Sequence, residues 1–367
     1  MFPASDDVLP RRVEHERGAD RLADGDGSAD RLAGDDRTAR RSTRRRLLGL
    51  AGSLAAATAL SGCLVYRVEK DTTTVRRTFD AADVDELRVP VATDAVTLET
   101  AGDDADAVEV RADKRARGST SLSDLELRTE TAEGVLRVST TVPPVTGIGG
   151  GSVDLRIGVP STVSVEQVTA EDGPVTLSGV RGNPTIEAGD GDVVARDVTG
   201  DLSVTAEDGP VTVERTGGDA TIEASDGDVV AREVGGDLAV SAADGSVTVE
   251  GTGGVVTTEA GDGDLSVVGP GAIGDLSAGD GSVRTDVPAV DGTTTVRTDD
   301  GDAVVRLAAD LDVRVLAATD DGRVSGTDVL DATTQATETN VVGRLGEASN
   351  ELRVEAGDGD VRLERLG

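Results

Sequence analysis

An all-β, single-stranded β-solenoid of 18-residue, two-strand coils, with irregular N- and C-terminal rungs, is the fold this sequence predicts. Three observations lead there. Asp-Gly pairs recur with an 18-residue period, their glycines at Gly173, Gly191, Gly209, Gly227, Gly245, Gly263 and Gly281. A second glycine series falls halfway, at Gly182, Gly200, Gly218, Gly236 and Gly254. Aromatic residues make up only 1% of the chain, which suits a thin aliphatic core. A short fixed period means that each repeat buries its apolar side only by stacking on its neighbours.

Within a repeat, the second and fourth residues after each glycine are apolar: Val175 and Leu177, Leu202 and Val204, Val211 and Val213, Ala220 and Ile222. Val229 and Ala231, Leu238 and Val240, Val247 and Val249, and Leu265 and Val267 continue the series. Two apolar residues flanking a polar one mark a half-buried strand. Asp-Gly supplies the turn, because glycine accepts a positive φ and Asp bonds readily to nearby backbone. The two glycine series differ in the preceding residue, so the coil is an 18-residue unit and not a 9-residue one. Outward residues Arg196, Glu214, Arg232 and Glu250 then fall in one column about 4.8 Å apart. Opposite charges so placed add about 0.2–1 kcal/mol each and penalise a slipped register. Apolar residues do not recur every six positions, which argues against a three-sided helix and for a flattened, two-sided one.

Before the ladder, residues 75–167 carry strands of looser spacing, with Pro143 to Ser152 reading as a loop. After it, a polar excursion from Asp331 to Asn350 precedes a last rung, Leu352 to Leu363. Residues 75–367 read as one continuous solenoid domain, preceded by a tether at 64–74.

Residues 1–63 read as an address. The segment 1–42 is polar and too poor in apolar residues to build a core, which predicts disorder. Residues 43–63 run from Arg44 and Arg45 through an uncharged stretch to Leu60-Ser61-Gly62-Cys63. This resembles a twin-arginine signal peptide with a lipobox, as in prokaryotic lipoproteins. The resemblance implies cleavage before Cys63, a lipid on its thiol, and a domain held on the extracytoplasmic face of the membrane. A transmembrane anchor over Leu47 to Tyr66 is the alternative, but it leaves the cysteine unexplained. The 42-residue extension is unusual for a signal, and a start codon placed too far upstream would account for it.

Composition narrows the function further. The formal charge is −34, from 70 acidic and 36 basic residues, and only Lys70 and Lys114 are lysines. Such acidity repels nucleic acid, and its self-repulsion fades in molar salt, where the Debye length is about 3 Å. The acid excess and scarce lysine resemble proteins of halophilic archaea. One cysteine and one histidine, His15, remove internal disulfides, thiol–histidine pairs and histidine metal sites from the folded region.

The opening Leu87-Arg88-Val89, the strand Val153 to Pro160, the Asp-Gly-x-Val ladder and the closing Gly357 to Leu363 resemble the β-strand-repeat "putative adhesin" family, related to head GIN domains. That resemblance covers residues 75–367 and implies an exported or membrane-attached β-helix with no catalytic residues to carry over. The expected role is a non-catalytic, lipid-anchored surface module that touches the membrane through Cys63 and contacts a surface protein or polymer. A polysaccharide-acting enzyme built on paired carboxylates is a weaker alternative, since carboxylates lie everywhere and aromatic platforms are missing. A second alternative is a Ca²⁺-dependent module. Its ligands would be the column Asp172, Asp190, Asp208, Asp226, Asp244, Asp262 and Asp280, joined by Asp192, Asp228 and Asp264, since two carboxylates one coil apart can share a hard cation. Turn-forming Asp screened by salt accounts for the same column without a metal.

Overall fold

A computed structural model describes residues 70–91, 95–144 and 149–367. The described strands form one hydrogen-bonded system wound into two faces around a single core. On the first face Ser164–Asp172, Thr185–Asp190, Leu202–Asp208, Ala220–Asp226 and Leu238–Asp244 pair in parallel, each residue opposite its counterpart one coil further on. On the second, Val175–Ser178, Val193–Val198, Val211–Thr216 and Val229–Val234 do the same. In Val247–Ala260 and Leu265–Ala278 one strand continues through both faces. The coil length, the two-sided section and the inward positions all match the sequence reading: the sixteen apolar residues named above are at most 4% exposed.

The two faces bury their third inward residue at different positions. On the first face the alternation simply continues, to Ala188, Ala206, Ala224 and Ala242. On the second face, Asp197, Arg215 and Glu233 have left-handed backbones (φ 54°, 56° and 54°), as do Gly179, Gly251 and Gly269 in the same column. This bulge delays the inward position by one residue, to Val180, Val198, Thr216, Val234 and Thr252. Asp, Arg and Glu at these positions hide the bulge from a sequence reader.

The corners explain both glycine series. Gly209, Gly227 and Gly245 have φ of 107°, 124° and 126°, and a Cβ on any of them would strike the backbone of the glycine one coil earlier. Their amides continue the ladder around the corner, with Gly191 N donating to Asp208 O and Gly209 N to Asp226 O, both at 3.0 Å. At the other corner Gly218, Gly236 and Gly254 need no positive φ. They leave room for a carboxylate: a Cβ on Gly218 would collide with Asp201 Oδ1, which accepts the Asp219 amide at 3.0 Å.

At both ends the stacking order departs from the chain order. Glu86–Val91 lies between Val135–Thr141 and Ser164–Asp172, and Val96–Gly102 lies between Gly149–Pro160 and Val175–Ser178. The first rung in sequence is therefore second in the stack. At the other end Asn350–Ala356 inserts between Thr293–Thr298 and Val313–Thr319, and Val361–Arg365 between Ala303–Leu307 and Val324–Ser325. The rung expected to come last is thus internal, because residues 313–325 form the outer one. The polar excursion pairs as the antiparallel strands Ala332–Ala336 and Asn340–Leu345. Antiparallel strands also close the N-terminal end: Glu126–Ala132 on one face, Ala107–Gly118 and Lys70–Asp80 on the other. Such caps occupy edges that an open parallel stack would leave exposed.

Two segment readings change as a result. The strand that starts at Lys70 takes in residues 70–74, expected as tether, and Gly149 to Ser152 belong to the strand Gly149–Pro160 and not to a loop. Both are recruited by the antiparallel strand Ala107–Gly118, which offers backbone partners on its two edges.

Candidate functional site

Arg44, Arg45, Leu60, Ser61, Gly62 and Cys63 lie outside the described residues, as does the stretch from Leu47 to Tyr66. Among the described residues no helix is long and apolar enough to cross a membrane.

The structure brings part of the Asp column together. Asp172, Asp190, Asp208, Asp226 and Asp244 are exposed and stand opposite one another in successive coils. At Asp208, partial desolvation at the corner, then the charges of Asp190 and Asp226, push the carboxyl above its ordinary value. Asp262 and Asp280 fall between strands; their amides donate to Ala243 O and Gly261 O at 3.1 and 3.0 Å. The column is therefore uniform over five coils and changes in the last two. Asp228 and Asp264 cap backbone instead, accepting the Ser246 and Ser282 amides at 2.9 Å. Asp192 stands in register with Pro210, which has no amide to offer, so it lacks the backbone partner that Asp228 and Asp264 find in Ser246 and Ser282. Among the described residues no three His, Cys, Asp or Glu side chains are grouped to hold a metal ion.

The outward columns of the two faces are electrostatically different. On the second face Arg196 Nε lies 2.7 Å from Glu214 Oε2, Arg232 Nη1 is 3.8 Å from Glu214 Oε1, and Arg232 Nε is 2.8 Å from Glu250 Oε2. The expected charge column exists, and beside it Arg215 pairs with Asp197 at 2.6 Å across the bulge. Hydrogen bonding from Arg196 holds the Glu214 carboxyl below its usual range, with the charges of Arg196, Arg215 and Arg232 adding to the effect. Further along, the buried Asp286 pairs with Arg306 at 2.5 Å.

On the first face the outward register runs Thr169, Glu187, Thr205, Glu223, Ser241, Glu259, Ser277. Glutamate alternates with a hydroxyl, and no described Arg or Lys forms an ion pair with Glu187, Glu223 or Glu259. Among the described residues the Glu187 side chain accepts only from Thr169 Oγ1, at 3.2 Å. A depression of 410 Å³, with Gly189 in its lining, lies between Glu171, Glu187 and Glu207. Carboxylates spaced two coils apart, about 9.6 Å, form a repeating anionic track.

The sequence model of the family described as Toastrack DUF4097 matches residues 84–364. No curated protein matches the chain. Among solved structures, a putative adhesin from Parabacteroides merdae is 10% identical over 80% of this chain and 95% of its own, with a TM-score of 0.35. One from Parabacteroides distasonis is 12% identical over 79% and 97%, also at 0.35. A third, from Bacteroides fragilis, is 10% identical over 79% and 97%, at 0.31. Likenesses of that size say nothing about what this chain does.

Proposed function

The chain belongs to the Toastrack DUF4097 family, a β-solenoid family, and from that premise we propose that it is a non-catalytic, lipid-anchored surface module that binds an extended polymer along its first face. The carrying observation is the contrast between the faces. The second face neutralises its own charges in Arg–Glu pairs, whereas Glu187, Glu223 and Glu259 stand unneutralised at a regular spacing. A rigid track of carboxylates and hydroxyls suits a chain-like partner with repeating cationic or hydroxyl groups, such as a cell-surface polysaccharide or protein. Chemistry is instead concentrated where a site gathers unlike groups, and here the same groups recur coil after coil. Export and anchoring rest on Arg44, Arg45 and the Leu60 to Cys63 lipobox.

The test has two arms. Replacing Cys63 by Ser should release the protein from a membrane fraction washed in molar KCl, whereas the parent stays bound. Replacing Glu187, Glu223 and Glu259 together by Gln should weaken retention on immobilised cell-surface polymer by at least tenfold, with the fold unchanged by circular dichroism. Unchanged retention would overturn the role given to the first face.

A second reading has the Asp column load Ca²⁺ outside the cell. It is favoured by the register that stands Asp190, Asp208 and Asp226 opposite one another in successive coils, where desolvation and then the neighbouring charges raise the Asp208 carboxyl.

A further inference from the structure

The strongest departure from the acidic character of the chain lies at one end of the solenoid. The antiparallel strands Lys70–Asp80 and Ala107–Gly118 set Lys70 opposite Arg117, Thr72 opposite Arg115 and Arg76 opposite Arg111. Gly149–Pro160 adds Arg156 beside Arg111. From Lys70 to Arg76 this outward side carries six cations, Lys70, Arg76, Arg111, Arg115, Arg117 and Arg156, among two carboxylates. Those two are already engaged: Asp154 pairs with Arg115 at 2.6 Å and Asp113 with Arg111 at 3.0 Å. At its margin Glu99, Asp106 and Glu109 line one depression with Arg111 and Arg156, so the basic side is bounded there by carboxylates. No side-chain hydrogen bond or ion pair joins Lys70, Arg76, Arg117 or Arg156 to a described residue. Stitching of the cap does not explain them either, because Lys114 and Arg77 fasten it on the inner side, donating to Leu125 O at 2.6 Å and Leu127 O at 3.0 Å.

The position of the patch along the chain matters as much as its charge. Lys70 follows Cys63 closely, and the intervening chain spans at most about 25 Å. We infer that this basic end of the solenoid docks on the anionic headgroups of the membrane to which Cys63 is attached, holding the domain with its first coils against the lipid. The inference rests on the lipid-anchor reading above. A chain of charge −34 is repelled by an anionic bilayer, so the end tethered within reach of it is where compensating cations have an effect. Each Lys or Arg next to an anionic surface strengthens partition about fivefold, and the effect fades beyond a Debye length.

The test uses the full chain carrying Cys63→Ser, so that no lipid contributes, and vesicles of phosphatidylglycerol or phosphatidylcholine at about 0.15 M salt, where the Debye length is about 8 Å. The variant Arg76→Glu/Arg117→Glu is compared with Arg284→Glu/Arg323→Glu, which makes the same charge change far from the patch. Thermal melts establish that both variants fold. The patch variant should lose at least tenfold in partition to phosphatidylglycerol, and the distant variant less than twofold. Molar KCl should abolish the difference. Equal losses in the two variants, or no preference for phosphatidylglycerol in the parent chain, would overturn docking. Mass spectrometry of Cys63 in the membrane-purified protein tests the anchor separately, so the two readings fail independently.

Discussion

Arg196 Nε donates to Glu214 Oε2 across one coil, at 2.7 Å, and Glu214 reaches on to Arg232 in the next coil at 3.8 Å. A glutamate between two arginines locks the register of three coils, since a slip would set like charges opposite one another. Glu214 is held below the usual glutamate range, so its contribution is present above the unfolded value of about 4.3 and is lost as pH falls through the folded one. Glu214→Gln should therefore lower the melting temperature at pH 7 in dilute KCl, and less in molar KCl. As pH falls through the folded value of Glu214, the melting temperatures of the variant and the parent should converge.

Asp208 has the opposite sign. Its carboxyl is raised, so the ionised form weakens the fold above that raised value, and the penalty disappears below about pH 3.9, the unfolded value. Asp208→Asn should raise the melting temperature at pH 7, with the gain vanishing towards pH 3. CaCl₂ and KCl at equal ionic strength should stabilise the parent equally. A saturable extra rise at sub-millimolar Ca²⁺, lost in Asp226→Asn/Asp244→Asn, would instead support the calcium reading.

Thr216 carries a buried hydroxyl with no partner among the described residues, in a column where the neighbouring coils place Val198 and Val234. Thr216→Val keeps the shape and removes an unsatisfied polar group, so it should stabilise the protein by about 1–2 kcal/mol in denaturant unfolding.

The glycines divide by mechanism. A Cβ on Gly251 meets open space, but its φ is 70°, so Gly251→Ala should cost about 1 kcal/mol for the left-handed backbone alone. Gly227 combines φ 124° with backbone packed where a Cβ would go, and Gly227→Ala should cost more than about 3 kcal/mol or prevent stacking. Chemical denaturation of the two variants separates these effects.

Removing residues 350–367 should not merely trim an end. That segment fills the rung between Thr293–Thr298 and Val313–Thr319, with Leu352 fully buried. Truncation at Asn350 should expose residues 313–345 to limited proteolysis, while residues 164–278 stay protected.

Period and alternation were legible because each coil repeats a local rule: two inward aliphatics, a glycine, a turn. Val175 and Val211 announce their burial by position alone, and the Arg196 to Glu250 column followed from the coil length. The bulge at Asp197, Arg215 and Glu233 was not legible, since the glycines of its column, Gly179, Gly251 and Gly269, stand in other coils and fall outside both glycine series. The Asp201–Gly218 pairing was hidden too, because the glycine answers to a carboxylate that stacking alone brings beside it.

The coil, the two faces, the first two core residues of each strand and the outward charge column follow from the order of the residues, because each depends on a neighbour two positions or one coil away. Folding of the whole chain was needed to set the order of the end rungs, the antiparallel caps and the gathering of Lys70, Arg76, Arg117 and Arg156 on one surface. These depend on pairings between segments without a shared period, where backbone hydrogen bonding admits many partners and only burial of the whole core selects one.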